Sequence, residues 1–177
     1  RLYSMAKDTF FLRTVLTSNG TNYVSDDIDI SAYTNPAEGR VLVVDKAFMS
    51  YTTDAGGPVL PADIVGSGTG SKQMGAQACS EKQTALVEMS DNSLFARTNL
   101  YAAVSVAGVL STMEQTSALN PAEFEGGFIV PTDAIHVGID TSHAWNGEIN
   151  VGFMFEVHTE KLSLRRIQEL LVSLTAN

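Results

Sequence analysis

The sequence predicts an all-β chain, an antiparallel β-sandwich or jelly roll of about eight strands with a short C-terminal amphipathic helix. Three observations carry that prediction. Ile149, Val151, Phe153, Phe155 and Val157 alternate with Asn150, Gly152, Met154, Glu156 and His158, the period of two that a half-buried strand requires. Short runs of aromatic and β-branched residues recur along the chain, separated by Gly, Pro and Asn turn signals. Only the last segment differs in kind: Leu164, Ile167, Leu170, Leu171 and Leu174 recur at helical spacing behind Ser163, whose hydroxyl suits an N-cap.

From the N-terminus, residues 9–16 read as a strand that ends at the turn Ser18-Asn19-Gly20 and leads into a second over 23–30. Residues 41–51 are apolar in both phases, as in a strand covered on both sides. Between 52 and 71 stand Gly56, Gly57, Pro58, Pro61, Gly66, Gly68 and Gly70, which predict a long surface loop without regular structure. Such a loop would serve as a contact arm, needed for assembly and dispensable for folding. The Ala-rich stretches 73–89 and 94–113 fit helix or strand, and their β-branched parts at 84–89 and 104–109 are assigned as strands. Residues 128–130, between Gly126-Gly127 and Pro131, form a short strand. Ile135, Val137 and Ile139 alternate with His136, Gly138 and Asp140, and Asn146-Gly147 follows; this predicts an antiparallel hairpin with the 149–157 strand. The whole chain, 1–177, then forms one domain, with the loop at 52–71 and the helix at 163–174.

Composition narrows the function classes. With 177 residues, 44% hydrophobic and 18% charged, one core of ordinary size is expected. Twenty acidic residues against eleven basic give a net charge of −9, and the only adjacent basic pair is Arg165-Arg166. A nucleic-acid surface needs clustered cations, so no direct nucleic-acid partner is expected. Cys79 is the only cysteine, which excludes an internal disulfide framework and a cysteine zinc site and leaves a buried, inert thiol. No apolar run approaches the roughly 20 residues of a membrane-spanning helix, and residues 1–10 lack the pattern of a signal peptide.

Chemistry-bearing motifs are sparse. Residues 66–72 read Gly-Ser-Gly-Thr-Gly-Ser-Lys but lack the Gly-Lys-Ser/Thr order of a phosphate loop and read as flexible chain. Asp27, Asp29 and Glu38, with Ser31 and Asn35, fall at the ligand spacing of a calcium loop, although Ala32 stands where the turn needs Gly. They are candidate calcium ligands. His136 and His158 sit on the polar phases of their strands, where exposed histidines are common. As a cross-strand pair, with Asp140 or Glu156, they would be able to hold zinc. Neither a Gly-x-Ser-x-Gly elbow nor a cysteine partner motif is present, and the expectation is of no enzyme and no cofactor.

The layout, together with Val151-Gly-Phe-Met-Phe-Glu-Val157 running into Leu164-Arg-Arg-Ile-Gln-Glu-Leu-Leu171, resembles the single-jelly-roll major capsid proteins of tailless icosahedral double-stranded DNA viruses. The resemblance implies a coat subunit located in the virion. Its partners would be further copies of itself, other capsid proteins and a viral membrane beneath the shell. Leu164, Ile167 and Leu171 would be subunit contacts on the terminal helix. Two other readings remain open: a decoration or tail protein of a tailed virus, and a ligand-binding β-sandwich such as a carbohydrate-binding module, with Trp145 and Tyr33 as stacking platforms.

Overall fold

The computed structural model describes residues 8–66, 68–106, 110–141 and 143–176. Among these residues are nine strands in two antiparallel sheets. The strands are β1 (Phe10–Ser18), β2 (Val24–Asp29), β3 (Arg40–Thr53), β4 (Gly70–Cys79), β5 (Leu94–Val106), β6 (Leu110–Leu119), β7 (Phe128–Val130), β8 (Ala134–Thr141) and β9 (Ile149–Lys161). Helix α1 spans Pro61–Val65 and α2 spans Leu164–Thr175. The first sheet has the order β1-β9-β3-β7 and the second β2-β8-β4-β5-β6. Apart from the β4-β5-β6 meander, each successive strand changes sheet, which is the wrapping of a jelly roll.

Strand β9 is the centre of the first sheet, paired with β1 on one side and β3 on the other. Its predicted inner residues, Ile149, Val151, Phe153, Phe155 and Val157, are all buried. Across the sandwich they meet Ile135, Val137 and Ile139 of β8, Ala76 and Ala78 of β4 and Phe95 of β5 in one core cluster. Phe95 touches both sheets, its ring 4.9 Å from Phe128 and 5.9 Å from Phe155 between centroids. Strand β3 is buried in both phases from Val41 to Val44, as its composition requires. At Asp45 a bulge interrupts its register, so that Val44 faces Val157 and Lys46 faces Glu156.

Ser163 caps α2 as expected, its hydroxyl accepting the Arg166 N–H at 3.2 Å. Entry to the helix is fixed by Gly39, which has φ 84° and whose carbonyl accepts the Leu162 N–H at 2.7 Å. A side chain at residue 39 would strike the Leu162 carbonyl, so this turn requires glycine.

Three expectations are corrected. The predicted hairpin of 135–139 with 149–157 does not form: β8 and β9 lie in opposite sheets, and residues 143–148 cross from one to the other at the end of the sandwich. Backbone bonds from Trp145 N–H to the Asn19 carbonyl (2.9 Å) and from Asn146 N–H to the Ile64 carbonyl (3.0 Å) hold that crossing. The segment 52–71 is not a free arm. Strand β3 runs on to Thr53, α1 starts at Pro61, a good first helical residue, and Val59 and Ile64 are in the core. Residues 84–89 are not a strand. They run irregularly over the outer face of the second sheet, where the Ala85 carbonyl and the Val87 N–H bond to the Gln77 side chain rather than to a strand edge. Of the assignment at 104–109, the first part belongs to β5, and residues 107–109 lie outside the described residues.

Two core truncations test these placements. Phe153→Ala should cost about 3–5 kcal/mol and Ile64→Ala about 2–5 kcal/mol, measured by denaturant unfolding. A neutral Ile64→Ala would return residues 52–71 to the status of a surface arm.

Candidate functional site

The outward-pointing residues of the first sheet are set by the registers of its strands. On β1, Phe10, Leu12 and Leu16 point inward, which leaves Phe11, Arg13 and Val15 outside. Three outward rungs follow across β1, β9 and β3: Phe11, Glu156 and Lys46; Arg13, Met154 and Phe48; Val15, Gly152 and Ser50. Phe11, Val15 and Phe48 are 50%, 60% and 46% exposed. Gly152, at the centre of the third rung, leaves a depression of about 380 Å³ walled by Val15, Phe48 and Met154. Arg13 stands beside it with its guanidinium 6.0 Å from the Phe11 ring centroid. The Lys46–Glu156 ion pair, 3.7 Å apart, borders this apolar field on one side.

A solvated sheet face normally carries polar side chains. Aromatic and β-branched residues exposed together on a sheet, with polar groups at the rim, mark an interaction surface. The terminal helix carries separate exposed apolar residues. Leu164 and Leu171 are exposed, as the subunit-contact assignment requires, but Ile167 is buried against its own chain and holds the helix to the body. The Asn92 amide also donates to the Ser173 carbonyl at 2.7 Å. Val172, at the end of the helix, is exposed and was missed in the sequence.

The calcium candidates do not form a loop. Asp27 and Asp29 lie on the edge strand β2, and Glu38 ends a 3-10 turn over Pro36–Glu38. Asp29 Oδ1 accepts the Ser31 N–H at 2.8 Å, and bonds from Ser31 hold its carboxyl below the usual range. Asp27 is bound to His136 Nδ1 at 2.6 Å, with Lys82 at 3.7 Å. Among the described residues no group of three histidines, cysteines and carboxylates is arranged to hold a metal.

The two histidines sit on opposite sheets and cannot share an ion, because β8 and β9 are not paired. His136 packs with Asp27. His158, against expectation, is buried. Its Nδ1 lies 2.6 Å from Asp45 and its Nε2 2.8 Å from Glu160. The β3 bulge lies at Asp45, and a carboxylate stands at each nitrogen of this ring. The cluster ties β3 to β9 as a structural pin. Of the stacking platforms proposed for sugar, Trp145 is corrected, because it is buried in the core, whereas Tyr33 stays 39% exposed with its ring centroid 4.8 Å from that of Phe10.

No protein-family model matches the chain, and no curated protein compared with it is similar in sequence.

Two titrations follow from these contacts. The hydrogen bond from His136 is the main cause of a lowered Asp27 carboxyl; the charges of His136 and Lys82 add to it, and slight burial opposes it. The folded state therefore binds this proton more weakly than the unfolded chain. The contribution is full above the ordinary value of 3.8 and is lost as pH falls through the lower folded value. His136→Ala should raise the Asp27 titration midpoint, read by carboxyl NMR, and remove that part of the acid dependence. Burial pushes the Cys79 thiol up to about 12, so the thiolate is scarce at neutral pH. An aromatic disulfide reagent should leave native Cys79 unmodified and label it once the chain is unfolded.

Proposed function

We propose that this chain is a structural virion protein, a coat subunit that self-assembles through the flanks of its jelly roll. The observation that carries the reading is the apolar outer face of the first sheet. Phe11, Val15 and Phe48, with Met154 between them, expose in one place side chains that an isolated soluble sandwich would bury or replace with polar ones. The resemblance of the chain's layout to the small single-jelly-roll capsid proteins supports the same role. Its partners are further copies of the chain and other coat proteins, with a viral membrane beneath the shell and no direct contact with nucleic acid. The exposed helix residues Leu164 and Leu171 supply a second contact at a different edge of the subunit.

A decoration or tail subunit would use the same apolar face and differs only in its neighbours. Fold by itself does not choose among these roles, whereas a self-associating sheet face is common to all of them.

Assembly is the test. At high protein concentration the wild-type chain should form oligomers, read by native mass spectrometry and sedimentation, through contacts that bury at least about 1,000 Å². Val15→Lys combined with Phe48→Lys should abolish association and leave the melting temperature nearly unchanged, because both side chains are already exposed in the monomer. A wild-type chain that stays monomeric under every assembly condition, or a double variant that assembles normally, would remove the coat reading.

A further inference from the structure

On the opposite flank of the sandwich the outer face of the second sheet is built quite differently. Its central strands carry glycine at two outward positions, Gly75 on β4 and Gly138 on β8, and side chains from neighbouring elements lie flat in the space they leave. Tyr23 lies across Gly138 and meets the Gln77 amide at 3.1 Å. Arg97 lies across Gly75, where a Cβ would come within 2.8 Å of its guanidinium and 2.7 Å of Leu86.

Register places Asn99, Gly75 and Asp140 on one rung across β5, β4 and β8. Together with Arg97, Leu86 and Gln73 they line a depression of about 300 Å³. Arg97 is anchored from one side, Nε donating to Asn99 Oδ1 at 3.1 Å and Nη1 to the Val87 carbonyl at 3.3 Å. No carboxylate among the described residues forms an ion pair with it, although burial pulls its pKa below the ordinary arginine value. A guanidinium partly stripped of water without a carboxylate partner is costly to maintain. Asp140 lines the same depression, and its Oδ1 accepts the N–H of the next residue, Thr141, at 2.8 Å. Gln73 also lines a second depression, of about 200 Å³, with Tyr101 and His143.

We propose that this groove is a carbohydrate-binding site that takes a neutral, polyhydroxylated ring between Arg97 and Asp140. A cation and a carboxylate on one small cavity cancel in net charge, so a purely anionic ligand would gain from one and be repelled by the other. A ring hydroxyl is both donor and acceptor, and neighbouring hydroxyls can accept from Arg97 and donate to Asp140 at once. The amides of Asn99 and Gln73 offer the same dual capacity. Leu86 gives the ring's C–H face an apolar wall, and Tyr101, 44% exposed, is placed to stack on a second ring in the adjoining depression.

This site is independent of the coat reading, and the two fail separately: one is read by mass, the other by ligand titration. The probes are glucose, galactose, mannose and N-acetylglucosamine, each titrated into the isotope-labelled full chain and followed by amide NMR. At least one should shift the amides of Gly75, Asn99 and Asp140 in a saturable way. Asp140→Asn keeps the shape and the acceptor for Thr141 and should weaken that binding about tenfold. Arg97→Gln should weaken it at least as much, although it also releases the Val87 contact. Absence of saturable shifts with all four sugars would overturn the proposal. So would equal binding by the Asp140→Asn variant, or glycine or inorganic phosphate binding at these amides in preference to any sugar.

Discussion

Strand β9 is hydrogen-bonded to β1 and β3 along its length, so its register fixes the first sheet. A slip of one residue would carry Ile149, Val151, Phe153, Phe155 and Val157 out to solvent and bring Asn150 and Glu156 into the core. Each of the buried side chains is worth roughly 1.5–3 kcal/mol in that position. This alternation also determines where the outer surface lies. Met154 and Gly152 stand on the opposite face from Phe153 and Phe155, and they bring Arg13 and Val15 of β1 level with Phe48 and Ser50 of β3. The apolar flank and the core are thus two consequences of one register.

The two outer faces use glycine to opposite ends. Gly152 leaves the first sheet bare, a shallow depression between exposed apolar residues. Gly75 and Gly138 let the second sheet be covered. The Gln77 side chain acts there as an extra peptide group, its amide donating to the Ala85 carbonyl at 2.9 Å and accepting the Val87 N–H at 2.9 Å. A buried glutamine satisfied in this way holds the 81–93 segment down without any strand pairing. Arg97 fastens the same segment through Val87, so the loop that supplies Leu86 to the groove is held by the strands that form its floor.

Elements were legible in the sequence where one face alone is buried. Strand β9 and helix α2 carry their period openly, and Ser163 marks the helix start because its hydroxyl has a defined backbone N–H to accept. Strand β6 was not separable from its surroundings, because as an outer strand it exposes most of its side chains and so shows no alternation. The 84–89 segment misled for a different reason: its β-branched Thr84 and Val87 suggested a strand, but the chain runs irregularly there and is tied down by Gln77 through the Ala85 carbonyl and the Val87 N–H. The false hairpin arose from adjacency in sequence, which a jelly roll defeats by sending successive strands to opposite sheets. On β1 the apolar residues occupy both phases, Phe10 and Leu12 as well as Phe11 and Val15, and that excess is the sequence trace of the exposed flank. No comparable trace exists for Arg97 and Asp140, which come from strands on either side of β4 and line one depression only because the Arg97 side chain, registered opposite Gln77, lies over Gly75, the residue opposite Asp140.

The position of the two surfaces has a consequence for how they could be used together. Sheets of a sandwich pack about 10 Å apart, with their outer faces directed to opposite sides. Contacts made by Phe11, Val15 and Phe48 therefore bury one flank and leave the Arg97–Asp140 groove, on the other sheet, uncovered by the same partner. The exposed residues Leu164 and Leu171 of α2 likewise lie outside β4, β5 and β8. A chain that associated through the first sheet would thus repeat the groove once per copy in the assembly. Weak binding of a single sugar ring at each copy would then be multiplied, since a second binding event on the same array is effectively intramolecular and raises avidity by orders of magnitude without any new contact.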